Sequence, residues 1–353
     1  LELTGDAANS VTGVTLPGAP SLIAGSNGRI AWGFTNSYGD WSDLVVLQID
    51  PEDPERYLTP EGYRRFDRVA ERIAVKGADD VVIDIVETVW GPVMEPDHRD
   101  RISALRWLAH APEAVGLITG METAGDIYEG MSVANRSGLP PQNIVIADDD
   151  GRIAWTIMGR IPRRAGFDPS QPADWSSTGD GWAGWVSPED YPKVVDPESG
   201  RIWTANARVV GNPGLRVLGD GGYALGARSG QIRDRLFEVT DADVDDMLAI
   251  QLDDRAVFFD RWRELALATL QDVEPAGNPS RRQFHDLVSN WTSRASTESV
   301  GFRLVYEFRL RLLAEIFEAL TAPVRELDPD FHFAESQRYG VGRQFEGVAW
   351  RLL

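Results

Sequence analysis

Two asparagines and a pair of aspartates are the residues of this chain whose types and spacing could do chemistry. Gly33-Phe-Thr-Asn36 follows the strand-like Arg29-Ile-Ala-Trp32 and leads into a loop holding Ser37, Tyr38, Gly39 and Asp40. A strand end of this kind can aim a backbone N–H at a developing oxyanion, a donor contributing roughly 3 kcal/mol to a transition state. An ordinary β-turn is the competing reading. Asn206, in Thr204-Ala-Asn206, offers a carboxamide that donates without titrating. It also reads as a turn residue ahead of Gly211-Asn-Pro-Gly214. Asp40 and Asp43 form D-x-x-D on one loop, with Asp6, Asp220 and Asp148 to Asp150 elsewhere. Hard oxygens on irregular backbone suit Ca²⁺, which takes 6–8 of them, although paired loop carboxylates also serve as turn caps or stay solvated.

Other chemistries find no support. There is no cysteine, hence no disulfide, thiolate zinc site or Cys nucleophile. His98, His110, His285 and His332 are scattered without metal-ligand spacing, and Ser10, Ser21, Ser26 and Ser37 have no evident His partner. No G-x-S-x-G elbow, Walker loop or dinucleotide fingerprint occurs, and Gly219-Asp-Gly-Gly222 reads as a loop. A net charge of -20, from 35 basic and 55 acidic residues, argues against nucleic acid or an anionic membrane as partner. Apolar stretches are broken well short of the roughly 20 residues a spanning helix needs. Trp175, Trp182 and Trp185 form a cluster that could stack sugars, the basis of a carbohydrate-binding alternative, although Trp is also a frequent packing residue.

The elements that must position these residues change character along the chain. Residues 1 to 235 read as β-rich. Leu44 to Ile49, Val81 to Val86 and Gly200 to Ala205 are strand-like runs between turn signals, and Asn143 to Met158 reads as a hairpin turning at Asp148-Asp-Asp-Gly151. Residues 236 to 353 read as mainly helical. Thr240-Asp-Ala-Asp243 is a helix start, Met247 to Leu265 carries apolar residues at helical spacing, and Gln283 to Trp291 and Phe302 to Leu320 are amphipathic helices.

Pro17 to Asp43, PGAPSLIAGSNGRIAWGFTNSYGDWSD, resembles the oxyanion-loop segment of the penicillin acylase family of N-terminal nucleophile hydrolases. Thr88-Val-Trp-Gly-Pro-Val93, Ala104-Leu-Arg-Trp107, Pro141-Gln-Asn143, Gly159-x-Ile-Pro162-x-Arg164, Trp185, Ala205-Asn206 and Met247-Leu-x-x-Gln251-x-Asp253 follow in the family's order. The resemblance implies an α+β fold, an αββα core that is truncated here, and hydrolysis of linear acyl amides by acyl transfer to an N-terminal Ser, Thr or Cys. The chain opens Leu1-Glu2-Leu3, as if just past the nucleophile segment, so it is expected to be an inactive β-subunit fragment lacking the α-subunit and other β-subunit segments. A catalytically silent acylase-like scaffold is the further alternative.

By the same resemblance, the Asn36 N–H and the Asn206 amide are the oxyanion donors. Arg228, or Arg233 in its stead, orients Asn206. Leu1, Ile23, Ala24 and Thr35 fall in the substrate pocket, and small Ala24 implies room for aliphatic or longer acyl chains. Asp40 and Asp43 would hold a structural calcium ion completed by an acid of the other subunit. No cofactor is expected for the chemistry itself, and the implied location is periplasmic or extracellular in a bacterium.

Overall fold

A computed structural model describes residues 2–3, 10–18, 21–114, 116, 119–138, 140–271, 278–338 and 344–353. The fold is α+β, and the chain divides into two compact units: Leu1–Ile202 with Arg208–Gly221, and Trp203–Ala207 with Gly222–Leu353.

The first unit is built on a seven-stranded antiparallel sheet in the order Glu2–Leu3, Val11–Thr15, Leu22–Ser26, Ile30–Asn36, Gln142–Asp148, Ile153–Met158, Lys193–Val195. The expected hairpin at 148–151 joins two of its central strands. Alternation along a strand sends successive side chains to opposite faces. Ile30, Trp32, Ile144, Ile146, Ala154 and Met158 therefore share one buried cluster with the helix Ile127–Arg136. Asp126 caps that helix by accepting from the N–H groups of Tyr128 and Glu129. Gly130 lets the helix lie close on the sheet, since a Cβ there would meet Ile146 Cδ1 at 3.1 Å and Ile30 Cδ1 at 3.3 Å. Trp155, Ile157 and Val145 point to the opposite face, into a cluster with Ile161, Tyr191 and Leu218.

Two sequence expectations need correction. Gly200 to Ala205 forms no strand, and helix begins earlier than residue 236, with Gly214–Leu218 and Ala227–Glu238. Short periodic runs rich in Arg and Gly carry too little apolar signal for either to be read from pattern alone.

In the second unit the helices Asp260–Gln271, Pro279–Ser289 and Val300–Leu320 pack around Trp262, Val288, Trp291, Val305, Leu313 and Phe317. Asp243 caps Val244–Gln251 through a capping box with Asp246. Gly301 allows the long helix to approach its neighbour, because a Cβ would meet Trp291 Cβ at 2.5 Å and the Leu287 carbonyl at 2.9 Å. Glu346, 1% exposed, accepts from Trp262 Nε1 at 2.9 Å and pairs with Arg261 and Arg309, so its buried charge is compensated.

Candidate active site

Asn36 ends its strand opposite Gln142, the first residue of the neighbouring strand. Its carbonyl accepts a hydrogen bond from Asn143 Nδ2 at 3.3 Å, and Asn143 Oδ1 accepts from Trp155 Nε1 at 3.1 Å. Asn143 is 3% exposed and Trp155 fully buried, so the orientation of the Asn36 carbonyl is tied to the sheet core through one side chain. Asn143 carried no assigned role in the sequence. Its signal was a carboxamide at a position of a strand whose neighbours Ile144 and Ile146 are wholly apolar and buried.

The loop after Asn36 is held on both sides. Ser37 Oγ donates to the Pro141 carbonyl at 2.7 Å, the Asp40 N–H donates to the Leu218 carbonyl at 2.7 Å, and the Gly221 N–H donates to the Tyr38 carbonyl at 2.8 Å. This threading requires glycines. A Cβ on Gly39 would lie 2.3 Å from Trp41 Cζ2, and one on Gly221 would lie 2.3 Å from the Gly39 carbonyl oxygen.

Ile23 and Ala24 lie on Leu22–Ser26, the strand beside Ile30–Asn36, and the pairs Gly25↔Trp32 and Ser26↔Ala31 run antiparallel. That direction carries Ile23 and Ala24 toward the end of the sheet that holds Thr35 and Asn36. Leu1 and Asp6 lie outside the described residues.

Asp40 and Asp43 converge on Arg164. Its Nε donates to Asp43 Oδ2 at 2.8 Å, and its NH2 donates to the Asp40 carbonyl at 3.0 Å and stands 3.4 Å from Asp40 Oδ2. Trp182 Nε1 also donates to Asp43 Oδ2, at 2.6 Å. Burial raises the Asp40 carboxyl to about 6, outweighing the opposing charge of Arg164. Asp43 Oδ1 is buried without a hydrogen-bond partner, the kind of oxygen a hard cation could use. Asp220 instead pairs with Arg208, and among the described residues no group of three acidic or His side chains could hold a metal. Asp40 and Asp43 thus offer at most a partial oxygen shell, with the Oδ2 atom of each already facing Arg164.

The tryptophan cluster does not form an open platform. Trp175 is 2% exposed beneath Trp90 and Phe167, while Trp182 is tied to Asp43 and covered by Arg106, whose guanidinium lies 4.9 Å from the ring centroid. Stacking on sugars needs a free ring face, which Trp175 lacks.

In the second unit Asn206 sits in the left-handed region at φ 61°, between buried Ala205 and Ala207. Asparagine tolerates this conformation where a β-branched residue would be strained. The Asn206 carbonyl accepts from the Ala224 N–H at 3.0 Å, and Arg228 NH2 donates to Asn206 Oδ1 at 2.8 Å. Arg228 projects from the first turn of Ala227–Glu238, whereas Arg233 pairs with Asp234 at 2.6 Å. Of the two arginines, Arg228 is the one that reaches Asn206. With its oxygen facing a guanidinium, the carboxamide has a fixed sense, and Nδ2 points away from Arg228 as a donor.

Comparison with known proteins identifies the fold and the family. Penicillin acylase 2 proenzyme of Pseudomonas sp. (strain SE83) is 33% identical over 205 residues, covering 56% of this chain and 26% of that protein. Acyl-homoserine lactone acylase QuiP of Pseudomonas aeruginosa is 27% identical over 332 residues, covering 86% of this chain and 39% of that protein. The chain therefore spans well under half the length of these relatives. A thermostable penicillin G acylase from Alcaligenes faecalis shares the fold with a TM-score of 0.66 at 22% identity, over 84% of this chain and 54% of that structure. The family model for penicillin amidase matches residues 1–345, so the chain belongs to the penicillin amidase family of acyl-amide hydrolases.

Proposed function

We propose that this chain supplies the oxyanion-binding part of an amidase that cleaves linear acyl amides of the penicillin, cephalosporin or acyl-homoserine lactone type. The observation that carries the reading is the hydrogen bond from Arg228 to Asn206 Oδ1 at 2.8 Å, which fixes the sense of the carboxamide. In this mechanism an N-terminal hydroxyl or thiol, supplied by a segment outside these residues, gives its proton to its own α-amino group and attacks the amide carbonyl. The Asn36 N–H and Asn206 Nδ2 hold the resulting oxyanion. Collapse expels the amine, which takes up the proton, and water then releases the acid and restores the nucleophile.

Ile23, Ala24 and Thr35 line the acyl side in this proposal, and the small Ala24 leaves room for aliphatic or longer chains. Faster cleavage of phenylacetyl than of aliphatic amides would sink that preference. A calcium ion, if bound, would use Asp40 and the unpartnered Asp43 Oδ1, with further oxygens from outside the chain. It would stiffen the loop after Asn36 and supply no chemistry. A periplasmic or extracellular location completes the reading, testable by cell fractionation.

The decisive experiment expresses the complete gene product, sequences its mature N-termini and assays a panel of acyl amides. A mature chain opening with Ser, Thr or Cys, and hydrolysis lost in Asn206→Ala, is the expected result. An unprocessed and inactive product would leave an acylase-like scaffold with another role.

A further inference from the structure

Asn206 belongs to the helical unit, although residues 208–221, which separate it in sequence from the rest of that unit, do not. Two of its bonds come from within the unit. Arg228 fixes the side chain, and the Ala224 N–H, 3.0 Å from the Asn206 carbonyl oxygen, fixes the backbone. A left-handed φ of 61° is less favourable than the extended or right-handed alternatives even for asparagine, so the backbone needs such a hold.

The Ala224 N–H shares its peptide plane with the Tyr223 carbonyl, and that carbonyl accepts from Gln344 Nε2 at 3.1 Å. A trans peptide is rigid and sends its C=O and N–H in opposite directions. Gln344 and the Asn206 carbonyl therefore hold opposite edges of one plate. Rotation of that plate about ψ of Tyr223 and φ of Ala224 breaks both bonds together. Tyr223 is 3% exposed, so a carbonyl turned away from Gln344 finds little water in exchange.

Gln344 is itself anchored. It precedes the helix Phe345–Ala349, and its side chain makes no cap to that helix. Two residues on, the buried Glu346 accepts from Trp262 Nε1 at 2.9 Å and from Arg309 Nε at 2.7 Å, and pairs with Arg261. Ala349 is fully buried, and the Trp350 and Trp262 rings meet edge to face with centroids 4.9 Å apart. A continuous path thus runs from the core of the helical unit, through Glu346, Gln344 and one peptide, to the backbone of Asn206. The buried charge of Glu346 takes no part in acyl transfer, but it fixes the helix start that carries Gln344.

We propose that Gln344 is a positioning residue for the oxyanion-binding amide. It holds the Tyr223–Ala224 peptide, which sets the Asn206 backbone as Arg228 sets its carboxamide, so that Nδ2 is in place before negative charge develops. The proposal rests on the amidase reading above. Gln344 acts through Asn206 and touches no substrate, so its loss weakens transition-state stabilisation and leaves substrate binding intact.

The test uses the complete gene product and an acyl amide that it cleaves. Gln344→Met keeps the length of the side chain and removes the donor. Its kcat per titrated active site is expected to fall about fivefold, with KM changed by less than about twofold. Gln344→Lys, which restores an N–H donor, is expected to recover most of that loss, whereas Gln344→Glu, which sets carboxylate oxygens against the Tyr223 carbonyl, loses more than Gln344→Met. An unchanged kcat in Gln344→Met, or equal losses in all three variants, overturns the proposal. Hydrogen exchange on the unmodified protein supplies a second measurement that depends on no variant folding. The Ala224 N–H is expected to exchange at least about tenfold more slowly than an unstructured amide, and exchange at the unprotected rate overturns the proposal equally. If the unmodified protein cleaves no acyl amide, the amidase reading itself fails; cleavage untouched by loss of the donor sinks the role of Gln344 alone.

Discussion

Replacing Asn143 by alanine removes two hydrogen bonds with different consequences. Trp155 Nε1, in a fully buried indole, loses the acceptor that stands 3.1 Å away and has no water to replace it. An orphaned buried donor costs about 1–3 kcal/mol. The Asn36 carbonyl loses the 3.3 Å bond from Asn143 Nδ2, but Asn36 is exposed and solvent can compensate much of that loss. With the small void left by the side chain, the total destabilisation is about 2–4 kcal/mol. In the complete protein this should appear as a fall of several degrees in thermal midpoint. The catalytic effect is separate. Asn143 is the side chain that fixes the Asn36 carbonyl, so its loss loosens the adjoining backbone and should reduce kcat by about tenfold, part of the 2.7–4 kcal/mol that a whole oxyanion donor contributes. KM should change little, because the interaction matters in the transition state. Asn143→Asp, which keeps an acceptor for Trp155 but no donor for Asn36, should retain the kcat defect. A variant Asn143→Ala with unchanged kcat and less than about 0.5 kcal/mol of lost stability would refute the reasoning.

Arg228→Met should lower kcat by at least about tenfold with little change in thermal midpoint, since this arginine is exposed and its hydrogen bond goes to the Asn206 side chain; Arg228→Lys should recover only part, and full activity in Arg228→Met would remove its positioning role. Gly39→Ala should destabilise by about 1–3 kcal/mol, measured by denaturant titration, because the new Cβ meets Trp41 at 2.3 Å and the Leu218 carbonyl at 2.9 Å. Millimolar Ca²⁺ should raise the thermal midpoint of the complete protein and EDTA should reverse it, a hundredfold excess over Kd contributing about 2.7 kcal/mol. No shift in either direction would remove calcium from Asp40 and Asp43 and leave Arg164 as their sole cation.

Some of the fold was open to reading and some was not. The hairpin around Asp148-Asp-Asp-Gly151, the strand Val81–Thr88 and the long helices Pro279–Ser289 and Val300–Leu320 follow from periodicity and turn residues, which are local signals. The stretch from Gly200 to Ala205 misled because alternating residues suggested a strand, whereas the backbone at Asn206 turns into the left-handed region and takes its hydrogen bond from Ala224. Asp43 shows the same limit. Its D-x-x-D spacing was visible, but Arg164 and Trp182, both more than 120 residues away, decide what its carboxylate touches.

What the sequence by itself determined was the family, through motifs kept in order along the chain, and the residue types available at Asn36, Asn206 and Arg228. Which of two arginines meets Asn206, that Asn143 ties Asn36 to Trp155, and that Gln344 meets the Tyr223 carbonyl were decided by tertiary structure alone. The reason is physical: a strand or helix is specified by neighbours within a few residues, while a hydrogen bond between side chains depends on where distant segments come to lie once the core has packed.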